Sequence, residues 1–213
     1  MDISTFKNVL VLAPHTDDGE LGAGATISKM IRGGCNVYYT AFSTAAQSVP
    51  EGFPKDVLKT EVRAATEALG IESQNLIIFN YEVRKLNYVR QEILEDLIQL
   101  RKREKWDLVL IPSLNDIHQD HTTVAQEGLR AFKNTTILGY ELIWNNLTFN
   151  AQCFIDVSEY DIMMKVQALK SYESQAGRDY MSKEFITSLA RTRGVQIGTK
   201  YAESFEVVRL MIK

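Results

Sequence analysis

The chain has three histidines, and all three fall in two short segments crowded with carboxylates. His15 stands in Pro14-His15-Thr16-Asp17-Asp18, and His118 and His121 stand in Asn115-Asp116-Ile117-His118-Gln119-Asp120-His121. Imidazole nitrogen and carboxylate oxygen together suit a borderline divalent metal, zinc above all. Two residues separate His15 from Asp18, so a tight turn opening a helix lets both face one point. His118 and His121 are three apart and share a face if they lie on a first helical turn. His15, Asp18 and His121 form a facial ligand set. Three protein ligands leave one position open for water, the catalytic rather than the structural pattern. Of the second histidine pair, one could bind metal while the other reaches the substrate.

The remaining carboxylates allow two readings each. Asp17 could accept the proton of a water whose pKa a metal brings to ~7, or it caps a helix. Asp116 and Asp120 could orient a histidine from behind, or act as caps. Glu20 reads as a structural residue or a favourable charge at a helix start. Gly22-x-Gly24 lacks the third glycine of a dinucleotide fingerprint, because Ile27 holds that position. Ser43 lacks the flanking glycines of a nucleophile elbow.

Both loaded segments follow short apolar runs, Asn8–Ala13 and Asp107–Pro112, of the type buried on both faces of a parallel sheet. Helical spacing is expected over Gly19–Ile31, Lys55–Leu69, Val89–Arg103 and Thr122–Phe132. Further strands are expected at Val37–Phe42, Leu76–Phe79 and Thr136–Tyr140, and Ser43–Phe53 reads as a polar loop. Strand and helix thus alternate, which predicts an α/β fold with a parallel sheet and right-handed crossovers. Less regular patterns predict strands at Cys153–Val157 and Ser204–Val208 and helices at Tyr160–Tyr172 and Ser182–Arg191. No repeat or linker divides residues 1–213, so one domain is expected. Ligands in such folds sit beyond the carboxyl ends of the strands, where both histidine segments fall.

A formal charge of -3 gives no support for nucleic-acid binding. Cys35 and Cys153 are too few for a disulfide framework and read as small buried residues. No run approaches ~20 apolar residues, and Met1–Lys7 has no basic segment leading into one; a cytoplasmic protein without a membrane span is expected.

Pro14-His15-Thr16-Asp17-Asp18-Gly19-Glu20-Leu21-Gly22 resembles the His-Pro-Asp-Asp-x-Glu segment of the PIG-L/LmbE-like N-deacetylases, and His118-Gln119-Asp120-His121 resembles their His-x-Asp-His segment. The stretch from Lys165 through Ser174-Gln175, Arg193-Gly194 and Gly198 to Phe205 is similar to the family's closing pattern. The resemblance covers nearly the whole chain. It implies a Rossmann-like, mostly parallel sheet flanked by helices, and a zinc-dependent hydrolase (Zn2+, or another divalent metal) that removes acetyl from GlcNAc-type sugars or glycoconjugates. Carried over, His15, Asp18 and His121 are the metal ligands and Asp17 the general base. His118 is a protonated, oxyanion-stabilising partner with Asp120 behind it. Thr16 replaces the usual proline and removes a stiffening element between the ligands. The implied partner is a small N-acetylated sugar, and family members assemble, which leaves a homo-oligomer open.

Two other classes use the same residues. One is a different metal-dependent amidase, cleaving a thiol conjugate; the other is a non-catalytic nucleotide- or sugar-binding module. Binding alone needs no carboxylate at Asp17 beside the metal, and metal content separates the classes. Arg63, Arg84 and Arg178 are candidates for an anionic group on the substrate, and Arg193–Phe205 is expected to complete the pocket.

Overall fold

A computed structural model describes residues 3–212. Met1, Asp2 and Lys213, the outermost positions of the expected domain, lie outside the described residues.

Strand β1 (Asn8–Ala13) is buried at five of its six positions. Its side chains alternate between two cores: Val9, Val11 and Ala13 enter one, Leu10 and Leu12 the other. That division explains the unbroken apolar run, because helices cover both faces of the sheet. Helices α1 (Asp18–Arg32), α2 (Val57–Leu69) and α5 (Glu159–Lys170) pack together on the first face. Helices α3 (Arg90–Arg103) and α4 (Gln119–Ala131) pack together on the second.

The other strands are β2 (Asn36–Ala41), β3 (Leu76–Ile78), β4 (Leu108–Pro112), β5 (Thr136–Tyr140), β6 (Cys153–Asp156) and β7 (Ala202–Arg209). They form one seven-stranded sheet in the order β3-β2-β1-β4-β5-β7-β6. β1 to β5 run parallel, whereas β7 is antiparallel to both β5 and β6. The α/β, mostly parallel arrangement expected from the sequence is therefore present. The chain starts at the centre, steps outward to β3, then returns across β1 to β4. Strand order reverses between β1 and β4, the crevice where ligands bind in open α/β sheets. Their register pairs Val11 with Leu110, so the loops after Ala13 and Pro112 emerge side by side.

Two helices depart from their expected bounds by three residues or more at one end, the others by one or two. α4 begins at Gln119 rather than Thr122, with His118 at its N-cap, so the histidine segment itself forms the first turn. α6 (Lys183–Ile197) runs six residues beyond Arg191 and ends at Gly198, whose φ of 74° suits glycine. Its polar tail hides the helix from an apolar-period reading, and Gly194 interrupts it. A Cβ on Gly194 would lie 2.8 Å from the Lys200 backbone, so this close packing needs glycine. Gly22 is likewise a packing position: a Cβ there would lie 2.2 Å from the Tyr140 side chain. Cys35 is buried and Cys153, on the edge strand, is half-buried; both are free thiols. No helix among the described residues is long and apolar enough to cross a membrane.

Candidate metal and catalytic site

The β1–α1 turn and the start of α4 bring three donor atoms together. His15 Nδ1 lies 3.1 Å from Asp18 Oδ2 and 3.1 Å from His121 Nε2, and His121 Nε2 lies 3.2 Å from Asp18 Oδ2. The far side of each imidazole is already engaged. His15 Nε2 is 3.0 Å from Asp120 Oδ2, and His121 Nδ1 is 2.7 Å from Asp116 Oδ2. If those outer nitrogens carry the protons, Nδ1 of His15 and Nε2 of His121 point lone pairs at each other and at a carboxylate oxygen. Three acceptors this close need a cation or shared protons between them. The triangle fits donors each ~2.0–2.2 Å from one ion, and its two nitrogens and one oxygen suit zinc-like chemistry.

The acid–base balance agrees. Burial works to lower both imidazoles, but the Asp18 carboxylate and the bonds to Asp120 and Asp116 outweigh it. His15 is pushed up to about 9 and His121 to about 10. Burial works to raise Asp18, and the charges of His121 and His15 instead hold it well below the usual carboxylate range. The pocket thus holds protons where a divalent ion could replace them.

His118 also brings a ring nitrogen within 4.8 Å of His15 and His121, so an all-histidine set is a second donor group. The set with Asp18 is tighter. Moreover, His118 Nδ1 already accepts the Asp120 backbone N–H at 3.2 Å. Burial, then the charges of His121 and His15, lower this imidazole to about 4. His118 is therefore a neutral ring whose remaining nitrogen, Nε2, is the N–H donor; the protonated form expected from the sequence is not the one this environment favours. The expected placement of Asp120 behind His118 also changes. Its carboxylate accepts from His15 Nε2 and from the backbone N–H groups of Arg84 and Leu86, at 2.6 and 3.2 Å, so it orients a different histidine. Sequence spacing missed this because His15 is 105 residues away.

Asp17 stands at the N-cap of α1 but makes no capping hydrogen bond with its side chain. The capping alternative does not hold. Asp17 lines the same cavity as His15, Asp18, His118 and His121. Burial, reinforced by the Asp18 charge, raises it to about 6. Such a group can both take and return a proton near neutral pH.

Glu20 is fully buried beneath this turn. The hydroxyls of Tyr39 and Tyr172 each contact one oxygen of its carboxyl and the Thr16 carbonyl, the latter at 2.9 and 2.7 Å. Four close oxygen pairs share two hydroxyl protons, and burial pushes Glu20 up to about 8, which supplies a third. The turn carrying both expected β1-side ligands is thus clamped from two other elements, although Thr16 replaces proline. Further back, Lys165 Nζ donates to Leu21 O and Glu203 Oε1, each at 2.6 Å. Glu203 also accepts from Ala25 N and Thr26 N in α1.

The cavity holds about 210 Å³. No residue of Arg193–Phe205 lines it, so the closing segment acts from behind, through Glu203 and α1. The wall instead includes Ser48, Trp144, Asn145 and Tyr180, none with a legible motif. Trp144 stacks on Tyr180 with ring centroids 4.0 Å apart. Arg84 and Arg178 line the cavity, whereas Arg63 does not.

The family described as PIG-L: GlcNAc-PI de-N-acetylase matches residues 10–132. A diacetylchitobiose deacetylase of Thermococcus kodakarensis is 25% identical, over 95% of this chain and 83% of its own length. The solved N,N'-diacetylchitobiose deacetylase of Pyrococcus horikoshii, in complex with its inhibitor MPG, superimposes with a TM-score of 0.76 at 21% identity, covering 94% of this chain and 83% of that one. The zinc-inhibited form of teicoplanin deacetylase Orf2 also gives 0.76, at 18% identity over 97% and 100%. At these identities the two structures establish a shared fold.

Proposed function

The chain belongs to the PIG-L family, and on that premise we propose that it is a zinc-dependent hydrolase removing an N-acetyl group from a GlcNAc-type sugar or glycoconjugate. The observation that carries this reading is the donor triangle of His15, Asp18 and His121, closed to 3.1–3.2 Å beside a buried, uncapping Asp17. These three residues would hold the metal, with Asp116 and Asp120 fixing the two imidazoles. When bound, a divalent ion supplies Lewis acidity, polarising the acyl oxygen and acidifying water.

The side chains divide the remaining work. Asp17 takes a proton from the attacking water as its oxygen bonds to the carbonyl carbon. His118 Nε2–H donates a hydrogen bond to the carbonyl oxygen as negative charge develops there. A positioned donor of this kind contributes roughly 3–4 kcal/mol of transition-state stabilisation. The C–N bond then breaks, and the leaving nitrogen takes the proton held on Asp17. Asp17 is preferred over His118 for this transfer because His118 Nδ1 is occupied by a backbone N–H and the ring resists a second proton. Acetate and a free amine leave.

The relatives named as deacetylases of acetylated sugars support the substrate class. The test is acetate release from N-acetylglucosamine derivatives by zinc-loaded protein, beside metal content. Stoichiometric metal with acetate release is expected; a metal-free protein that binds sugar without hydrolysis overturns the reading.

A further inference from the structure

The short turn Glu173–Gln175 follows Tyr172, whose hydroxyl holds the Thr16 carbonyl next to Asp17. Helix α2 grips the end of this turn. Ser174 N donates to Glu61 Oε1 at 2.9 Å, and Ser174 Oγ donates to Glu61 Oε2 at 2.6 Å. Gln175 Nε2 lies 2.9 Å from the same Ser174 Oγ. All three residues are buried, Gln175 to 4% exposure.

This relay fixes which way the Gln175 amide faces. A serine hydroxyl has one proton, and a carboxylate only accepts. The Ser174 proton is spent on Glu61, so its oxygen is left to accept, and Gln175 must meet it with the N–H₂ end. The other end, Oε1, makes no hydrogen bond among the described residues. It is not sealed in the core either: the buried side-chain atoms without a partner there are Thr26 Oγ1, Thr40 Oγ1, Asn146 Nδ2 and Thr187 Oγ1. Gln175 lines the cavity that also takes in Asp17, Asp18 and the histidines. A neutral acceptor of set direction therefore opens onto that cavity.

The neighbouring groups of the wall are mostly donors or already committed. His118 presents Nε2–H. Ser48 Oγ and the Tyr180 hydroxyl oxygen each accept from an arginine, which leaves their own protons to donate. Asp17 serves the water proton and Asp18 the metal. The Thr16 hydroxyl and the Asn145 amide make no side-chain hydrogen bond that sets their direction among the described residues. A secondary acetamide brings one acceptor oxygen, met by His118 and the metal, and one N–H. That N–H loses its water on entering the cavity, and leaving it unpaired is costly.

We infer that Gln175 is a specificity-determining residue: its Oε1 accepts the N–H of the scissile acetamide, with Glu61 and Ser174 as positioning residues that hold the amide in that orientation. The inference rests on the deacetylase reading for the reaction itself. It makes the enzyme selective for secondary amides over esters, which carry no hydrogen at that position. A site built to pair an N–H rejects the analogue that lacks it.

The test uses a matched pair: the methyl glycoside of N-acetylglucosamine and methyl 2-O-acetylglucoside, in which an ester oxygen replaces the N–H. The ring hydroxyls are the same in both, so an acceptor serving a hydroxyl leaves their ratio unmoved. Each compound is measured for kcat/KM with loaded enzyme and for equilibrium binding to metal-free protein. Wild-type protein should bind the amide at least 10-fold more tightly than the ester. Gln175→Met, which keeps the length and removes the acceptor, should cut the amide-to-ester ratio about 10-fold in both measurements. Glu61→Gln and Ser174→Ala release the amide to turn and should lower the same ratio. A loss of packing alone would weaken both compounds alike. Equal or undetectable binding of the two compounds, or a preference that survives Gln175→Met, overturns the inference. A ratio unmoved in folded Glu61→Gln and Ser174→Ala overturns the relay. A binding preference abolished by Gln175→Met, with no acetate released from either compound, leaves the subsite standing and overturns the deacetylase reading instead.

Discussion

The Tyr172 hydroxyl donates to the Thr16 carbonyl at 2.7 Å, tying the turn between His15 and Asp18 to a residue 156 positions later. Tyr39 makes the same bond from β2 at 2.9 Å. The carbonyl sits between the two β1-side donors, so fixing it fixes the direction from which both approach the metal position. Proline would stiffen this turn covalently through φ; here the stiffness comes from tertiary hydrogen bonds.

Tyr172→Phe is therefore expected to loosen the donor triangle without touching it. It leaves Glu20 and the Thr16 carbonyl each short of a buried partner, a loss of about 1–3 kcal/mol in stability. Metal affinity should fall by roughly 10-fold or more, as for other residues that orient ligands. Denaturant titration and competitive metal titration measure the two; unchanged affinity removes the clamp from the site.

Asp17→Asn should keep the metal and lose about 10²–10⁴ in kcat, the range for removal of a positioned base. The amide is nearly isosteric, and the native side chain caps nothing, so the turn has little to lose. Turnover near that of the wild type would eliminate Asp17 as the base.

His118→Ala and His121→Ala should part company. His118 is half-buried with one ring nitrogen held by backbone, and its loss should cost turnover but not metal. His121 belongs to the triangle, and its loss should empty the site after dialysis. Zinc content by mass spectrometry decides between this set and the all-histidine set. Metal loss in His118→Ala favours the latter.

Asp116→Asn probes the support. One carboxylate oxygen accepts from His121 Nδ1 at 2.7 Å and the other from the His118 backbone N–H at 2.8 Å. Asparagine offers one acceptor for two donors, and its N–H₂ faces whichever is left. Metal affinity should drop about 10–100-fold. Wild-type affinity would show that the His121 tautomer needs no such partner.

Glu20 gives the pH prediction. Burial raises its carboxyl to about 8 in the folded protein, against 4.5 for an ordinary glutamate. Between those values the folded state keeps a proton that the unfolded chain releases, so stability falls as pH rises through that window and levels off above it. Glu20→Gln, which offers the two tyrosine hydroxyls an amide in place of the carboxyl and does not titrate, carries no such slope. Melting temperatures of the metal-free proteins should show the variant gaining on wild type from pH 5 to pH 8. A constant difference over that range would mean that Glu20 is ionised when folded.

The sequence by itself determined the α/β class, the two loaded strand ends and five candidate residues that line one cavity: His15, Asp17, Asp18, His118 and His121. It could do so because buried strands, amphipathic helices and ligand turns are local patterns, written at periods of a few residues. Tertiary structure decided the pairings. β1 and β4 are neighbours only because the sheet reverses order between them, and that adjacency brings His15 within 3.1 Å of His121 across 106 residues. The same geometry turned Asp120 toward His15 rather than His118 and made Glu20 a buried proton carrier under the turn. It also built the cavity wall from Ser48, Trp144, Asn145 and Tyr180. Those residues touch the site through packing between elements distant in the chain. A local period records which face of an element is buried, but not which other element buries it.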